Sequence, residues 1–97
     1  MRVLEPLARE SRPCLAGKVR LRLDRKTGQH MLLYPERGLV LNATATAVVK
    51  LCTGEHTIAA IISQLAFQYA QDETAVGKEV LQLLNSLQER GLILIAS

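Results

Sequence analysis

The hydrophobic pattern of this 97-residue chain changes its period once, close to residue 41. Before that point apolar and polar residues alternate, as they do in strands that bury one face. After it apolar residues recur every three or four positions, as they do on helices that bury one stripe. Because the strands precede the helices and do not alternate with them, we predict an α+β domain with a small antiparallel sheet packed on a helical group.

Three short strands are predicted in the first half of the chain. Gly28 lies in the connection between the first two strands, and the connection before the third runs from Pro35 to Gly38; these residue types favour turns. We therefore expect a meander whose first or third strand lies on an edge of the sheet. The predicted strands are residues 18–24, 30–34 and 39–41.

Three helices are predicted in the second half, in an order that resembles a winged helix with the wing placed first. Asn42 or Thr44 is the expected N-cap of the first helix, which Gly54 ends, and Thr57 is that of the second. After a polar break at residues 71–74, the third helix spans residues 75–90, Gly91 ends it, and residues 92–95 form an extended apolar tail. The apolar stripes are Leu41, Ala45, Val48, Val49 and Cys52; Ile58, Ile61, Ile62, Leu65 and Tyr69; and Val76, Val80, Leu83, Leu84 and Leu87.

The length supports one domain, which we place at residues 17–97, after an irregular or extended N-terminal arm at residues 1–16 that Pro6 and Pro13 interrupt. With 48% hydrophobic but only 3% aromatic residues, the core must be aliphatic. No apolar run reaches the roughly 18 residues that cross a bilayer, and the charged first residues contain no signal-peptide core. We expect a cytoplasmic protein.

The chain contains none of the common catalytic patterns: no glycine-rich phosphate loop, no nucleophile elbow and no carboxylate pair in an obvious cleft. Four residues, Cys14, Cys52, His30 and His56, are potential metal ligands. Only Cys52 and His56 are close in sequence, whereas structural zinc sites bring ligands in tight pairs. Cys52 also lies on an apolar stripe, which favours a buried free thiol. We predict no enzymatic activity, no metal and no cofactor.

Several short motifs occur in a fixed order along the chain. They are HMLLYPE at residues 30–36, LNATA at residues 41–45 and LCTGEHT at residues 51–57. In order and spacing, the chain resembles the PqqD family from about residue 15 to residue 94. It departs from that family where Arg37 separates Glu36 from Gly38, where Leu23 replaces a common Trp, and where Gly77 interrupts the third helix.

The resemblance implies a non-catalytic peptide chaperone of pyrroloquinoline quinone biosynthesis. Such a protein binds the precursor peptide PqqA and presents it to the radical-SAM enzyme PqqE, which crosslinks a Glu and a Tyr of the peptide. The resemblance also implies a complex with that enzyme. Residues 1–40 contain nine Lys/Arg against four Asp/Glu, and Arg20 and Arg22 point away from the predicted core, so we expect these two arginines to contribute to docking.

The pattern itself is compatible with peptide binding, because a three-stranded meander leaves an edge to which an extended peptide can add. We predict that the peptide adds antiparallel to the third strand and lies against the third helix, where Leu81 lies off the apolar stripe. The predicted peptide-binding residues are Leu39, Val40, Leu41, Leu81, Leu84 and Asn85.

Two other functions remain open at this point. A winged helix that binds DNA needs a basic recognition helix, but residues 75–90 contain Lys78 and Arg90 against Glu79 and Glu89. A scaffold subunit would bind the enzyme without binding the peptide.

Overall fold

A computed structural model describes residues 7–34 and 37–96. The described chain is an α+β fold of two small antiparallel sheets and three helices. In chain order the elements are β1 (Arg12–Leu15), β2 (Arg20–Leu23), β3 (His30–Tyr34), β4 (Arg37–Leu41), α1 (Ala43–Lys50), α2 (Ile58–Gln68), α3 (Glu73–Glu89) and β5 (Ile93–Ala96).

The predicted meander is confirmed: β2, β3 and β4 form a three-stranded antiparallel sheet in that order, so β2 and β4 are both edges. The third strand is longer than the pattern indicated. Arg37 pairs with Tyr34 and Gly38 with Leu33, so both belong to β4 and not to the predicted turn. The other two residues of that turn, Pro35 and Glu36, lie outside the described residues.

The second sheet was not predicted, and it joins the two ends of the described chain. β1 pairs with β5, from Arg12 opposite Ala96 to Leu15 opposite Ile93. Two further hydrogen bonds tie β1 to the turn after α1: the Gly54 N–H donates to the Pro13 carbonyl at 2.9 Å, and the Leu15 N–H donates to the Cys52 carbonyl at 3.3 Å. This part of the expected arm is therefore extended and hydrogen-bonded at both edges. The boundary that we placed at residue 16 stays a prediction.

Local capping chemistry fixes where the helices begin. The Asn42 side chain accepts a hydrogen bond from the Ala45 N–H at 2.7 Å, and Thr57 accepts one from the Ala60 N–H at 3.1 Å, as predicted. Of the two candidates for the first cap, Thr44 lies inside α1. The third helix begins at Glu73, two residues earlier than expected, because the Asp72 carboxylate caps it.

The helix ends were less predictable. α1 ends at Lys50 and not near Gly54, because residues 51–54 turn back to bond with β1. Gly91 ends α3 as predicted, with a positive φ of 73° that glycine adopts without strain.

The core is aliphatic, as predicted, and it lies between the inner face of the β2–β3–β4 sheet and the three helices. Two predicted members of the stripes are less buried than expected: Tyr69 is 44% exposed at the end of α2, and Leu83 is half-buried. The fully buried large side chains are Leu32, Ile58, Ile61, Ile62, Leu65, Leu84, Leu87, Leu92, Ile93, Val48, Val49 and Val80.

Gly77 lies at the close approach of α2 and α3. A Cβ built there would lie 3.5 Å from Cδ1 and 3.7 Å from Cγ2 of Ile62, which are ordinary van der Waals distances. The two helices therefore pack closely at Gly77, but the packing does not require a glycine, because an alanine would also fit.

Candidate functional site

No other strand within residues 7–34 and 37–96 pairs with the outer edge of β4, which directs backbone groups outward at alternate residues. Tyr34 and Arg37 are paired across a two-residue connection, so they exchange both of their hydrogen bonds. From this pair the alternation directs the N–H and C=O of Leu39 and Leu41 towards β3. The backbone groups of Gly38 and Val40 therefore point outward, to the open edge.

The same alternation can be checked at the other edge of the sheet. It directs the backbone groups of Arg20 and Arg22 towards β3 and those of Leu21 and Leu23 outward. The Asp24 N–H donates to the Gln29 carbonyl at 2.8 Å, as this alternation requires. The sheet thus has two open edges, and the surroundings of each edge must decide between them.

A cleft of about 470 Å³ opens beside the end of β4, between the start of α1 and one flank of α3. We call it the α1–α3 trough. Its buried lining residues, Ala45 and Val48, are apolar, and its exposed ones are polar; among the described residues that line it, only Glu79 is charged. Its lining residues are Asn42, Thr44, Ala45, Val48, Glu79, Gln82 and Leu83.

We infer that the trough lies on the open-edge side of β4, since Asn42, the residue after β4, lines it. On the opposite flank of α1, Ala47 and Lys50 line a separate cleft together with Gln29 and His30, at the start of β3. Because β3 lies on that flank, the trough lies on the flank away from β3, next to the unpaired edge. Asn42 follows directly on β4, so an added strand would run into the trough.

The structure brings the strand half of the predicted peptide site to this place. Val40 is 53% exposed, Leu39 is half-buried, and Leu41 is buried against the helices. The binding role of these residues stays a prediction.

The helix half of the predicted site does not line this trough, and its role in binding stays a prediction. Leu84 is fully buried in the core. Leu81 and Asn85 are each two residues from Leu83, which places them about 160° around the helix from it, and neither lines the trough. The α3 residues that line the trough are Glu79, Gln82 and Leu83.

Sequence reasoning passed over these three residues for identifiable reasons. Leu83 fits the apolar stripe by spacing and was assigned to the core, while Glu79 and Gln82 resemble ordinary solvent-facing residues. Leu81 and Leu83 flank the buried stripe of α3 on opposite sides, and both pack partly against the core. A helical wheel identifies these two flanks but cannot tell which of them lines the trough.

The outer face of the three-stranded sheet is a second candidate surface. Arg20 pairs with Leu33, and Arg22 pairs with Met31, so all four side chains lie on this face together with Val40. We define the outer sheet face by these five residues. Gly38 also lies there, and a Cβ at its position would lie only 3.1 Å from Cε of Met31. The face is therefore a partly exposed apolar strip bordered by the predicted docking arginines.

The two cysteines are free thiols, and Cys52 is buried. Burial raises the pKa of the Cys52 thiol from 9.0 to about 12, with a smaller contribution from Cys14. A thiol of this kind stays protonated and is a poor nucleophile at neutral pH. Within residues 7–34 and 37–96, no group of three or more His, Cys, Asp or Glu side chains is placed to hold a metal ion.

The fold and the cleft together define a class: a small winged-helix-like domain with a free sheet edge beside a helical trough, a geometry suited to strand addition. Comparison with known proteins then identifies the family. The chain belongs to the PqqD family, because the family model for coenzyme PQQ synthesis protein D (PqqD) matches residues 29–93.

Two relatives described as "PqqA binding protein" illustrate the similarity. The one from Rhodopseudomonas palustris (strain HaA2) is 33% identical over 87 residues, which cover 90% of this chain and 85% of the relative. The one from Xanthomonas axonopodis pv. citri (strain 306) is also 33% identical over 87 residues, which cover 90% of this chain and 95% of the relative.

Two solved structures share the fold. The solution NMR structure of the PqqD truncation of Methylobacterium extorquens PqqCD has a TM-score of 0.80 and 31% identity, with 92% of this chain and 95% of that chain covered. That truncation is described as a functional and stand-alone recognition element for ribosomally synthesized and post-translationally modified peptides. The crystal structure of PqqD from Xanthomonas campestris has a TM-score of 0.57 and 32% identity, with 90% and 97% covered.

The described part of the chain contains no helix that is both long and apolar enough to cross a membrane.

Proposed function

We propose that this protein is a peptide chaperone of pyrroloquinoline quinone biosynthesis, which binds the precursor peptide PqqA as an added strand on β4. The relatives named as PqqA-binding proteins and the neighbour described as a peptide recognition element support this function. We further propose that the protein presents the bound peptide to the radical-SAM enzyme PqqE and catalyses no reaction itself.

The observation that carries the proposal is the position of the α1–α3 trough at the open edge of β4. The outward backbone groups of Gly38 and Val40 offer main-chain hydrogen bonds to any extended peptide, whatever its sequence. The trough adds apolar contact chiefly through the half-buried Leu83, above a floor of the buried Ala45 and Val48, and this contact distinguishes one peptide from another. At the β2 edge, by contrast, the nearby cleft is lined by Arg22, Arg25 and other polar residues as well as leucines.

The peptide is expected to add antiparallel to β4. All strand pairs in the described part of the chain are antiparallel, and antiparallel pairs are the more common and slightly more stable type. In this orientation the N-terminal end of the bound segment lies beside Leu41 and the trough, and its C-terminal end lies beside Arg37.

The outer sheet face is the surface that we propose for docking the enzyme. It lies on the side of the sheet away from the helices, so a partner there does not compete with a peptide in the α1–α3 trough. Arg20 and Arg22 supply charge that speeds association, and Met31 and Leu33 supply apolar area.

The absence of catalysis is part of the proposal. Its support is the raised pKa of Cys52 together with the absence of a catalytic sequence pattern. We also propose that the protein works in the cytoplasm, since two unpaired cysteines fit a reducing compartment.

A DNA-binding role has less support than it had from sequence. The helix as observed, Glu73–Glu89, contains one basic residue, Lys78, against three glutamates. A recognition helix needs more basic than acidic residues, because it must approach the negatively charged phosphates of DNA.

A titration of unlabelled PqqA peptide into isotope-labelled protein, followed by backbone chemical shifts, tests the proposal. We expect the largest changes at residues 38–45 and 79–86. Changes centred on residues 20–24 would place the peptide on the β2 edge. Absence of binding, together with retained binding to the enzyme, would favour the scaffold function.

A matched pair of proline variants tests the edge directly. Val40→Pro removes an outward N–H on β4, and Leu23→Pro removes an outward N–H on β2. Both positions are on edge strands, so each variant is expected to fold. Only Val40→Pro should lower the affinity for the peptide, by about five-fold for one lost hydrogen bond.

A further inference from the structure

Of the residues that the structure describes, only Glu79 brings a charge to the α1–α3 trough. It also lines the adjoining cleft between α1, α2 and α3, where Tyr69 and Val76 are its neighbours and where it is again the only charge. Among the described residues, Glu79 has neither an ion pair nor a side-chain hydrogen bond. An uncompensated carboxylate thus lies at the end of the path that an added strand would follow.

A charge of opposite sign lies at the other end of the same edge. Arg37 is the first residue of β4 and is exposed. By strand alternation its side chain is on the same face as those of Leu39 and Leu41, which is the face that turns towards the helices. Arg37 and Leu41 are four residues apart, or about 13–14 Å along the strand.

We propose that Glu79 and Arg37 select the charge order of the bound peptide and thereby its direction. This inference rests on the proposed strand addition to β4. A peptide that adds antiparallel places its N-terminal end at Glu79 and its C-terminal end at Arg37. The preferred ligand therefore carries a lysine or arginine, then an apolar stretch, and then an aspartate or glutamate.

The strand geometry also sets the spacing of the two charges. Both must point to the helix-facing side of the added strand, so they are separated by an even number of residues. Arg37 and Leu41 are four residues apart, so we expect a separation of about four residues, or about six if the peptide continues into the trough. A peptide with the reverse charge order places a carboxylate at Glu79 and a cation at Arg37, and the two repulsions oppose binding.

Two synthetic peptides of identical composition test this inference. One has a lysine before and a glutamate after the same apolar stretch, and in the other the two charged residues are exchanged. By fluorescence anisotropy the first should bind the native protein about ten-fold more tightly, since each exposed pair contributes about two- to five-fold. The difference should shrink in high salt.

A double charge exchange supplies the decisive variant. Glu79→Lys combined with Arg37→Glu leaves the net charge unchanged and should reverse the preference between the two peptides. The matched control is Glu55→Lys combined with Lys26→Glu, which exchanges the same charge types at exposed positions that do not line the trough. The control should keep the native preference.

Each outcome has a distinct meaning. If both peptides bind equally to the native protein, or if the double exchange leaves the preference unchanged, the inference is wrong while strand addition still holds. If neither these peptides nor the PqqA peptide binds, the proposed function itself fails. Tighter binding of the reversed peptide to the native protein would also overturn the inference, because it indicates parallel addition.

Discussion

Leu81 and Leu83 provide a matched pair of substitutions that tests on which flank of α3 the peptide lies. Both are leucines on the same helix, both are half-buried, and both pack against the core from opposite sides of the buried stripe. Each change to alanine should therefore cost a similar free energy of unfolding. A fully buried leucine costs about 2–5 kcal/mol, so about 1–2 kcal/mol is expected for each of these.

The two variants should differ in peptide affinity. Only Leu83 lines the α1–α3 trough. If the peptide covers roughly 50 Å² of the apolar surface that Leu83 leaves exposed, at about 25 cal/mol per Å², the variant loses about 1.2 kcal/mol of binding free energy, or about eight-fold in affinity. Leu81→Ala should leave the affinity within two-fold of native.

Urea unfolding measures the stability of each variant, and titration calorimetry with the PqqA peptide measures the affinity. The comparison is informative because an affinity loss shared equally by both variants indicates destabilisation alone. If Leu81→Ala weakens binding more than Leu83→Ala does, the peptide lies on the flank that the sequence pattern indicated, and our assignment of the trough is wrong.

Three further predictions concern other parts of the molecule. Gly77→Ala should be tolerated and should raise the free energy of unfolding by up to about 1 kcal/mol in urea titrations, because alanine favours the helix and its Cβ meets Ile62 at an ordinary distance; a loss of stability would show that the two helices cannot separate slightly. The pKa of Cys52 is raised from 9.0 to about 12, so the folded protein keeps a proton that the unfolded chain releases, and this contribution to stability is complete below pH 9 and is lost as the pH rises towards 12. Cys52→Ala should therefore lose less stability over that pH range than the native protein does, and equal losses would contradict the burial argument. Charge reversal at Arg20 and Arg22 should slow association with the radical-SAM enzyme in stopped-flow measurements and leave peptide affinity intact; unchanged association would place the docking surface elsewhere.

The features that local chemistry determines were predictable from sequence. Asn42 and Thr57 cap their helices with their own side chains, and the meander follows from alternation within short segments joined by turns. The pairing of β1 with β5 was not predictable in this way. The paired residues, such as Leu15 and Ile93, are far apart in the chain. The sequence of neither four-residue strand indicates which segment it pairs with.

In the candidate site, too, one half depends on local sequence and the other on tertiary packing. The strand half followed from the sheet order, because a meander has edges whatever packs on it. The helix half depended on how α3 is rotated and on which of its flanks lines the α1–α3 trough, and both are properties of the assembled core. Leu83 was therefore assigned to the core, and Leu81 was assigned to the peptide.

The pairing of β1 with β5 has a consequence for fusion proteins. Since Arg12 and Ala96 are register partners, the segments that lead to both ends of the described chain leave the small sheet at almost the same point, and a second domain attached through either segment begins near it. That point is tied to the turn after α1, whereas the α1–α3 trough opens at the start of α1, about one 12 Å helix length away. An enzyme tethered at either end would thus be held near the peptide without covering its site, and linker length, more than the choice of terminus, would set its effective concentration there.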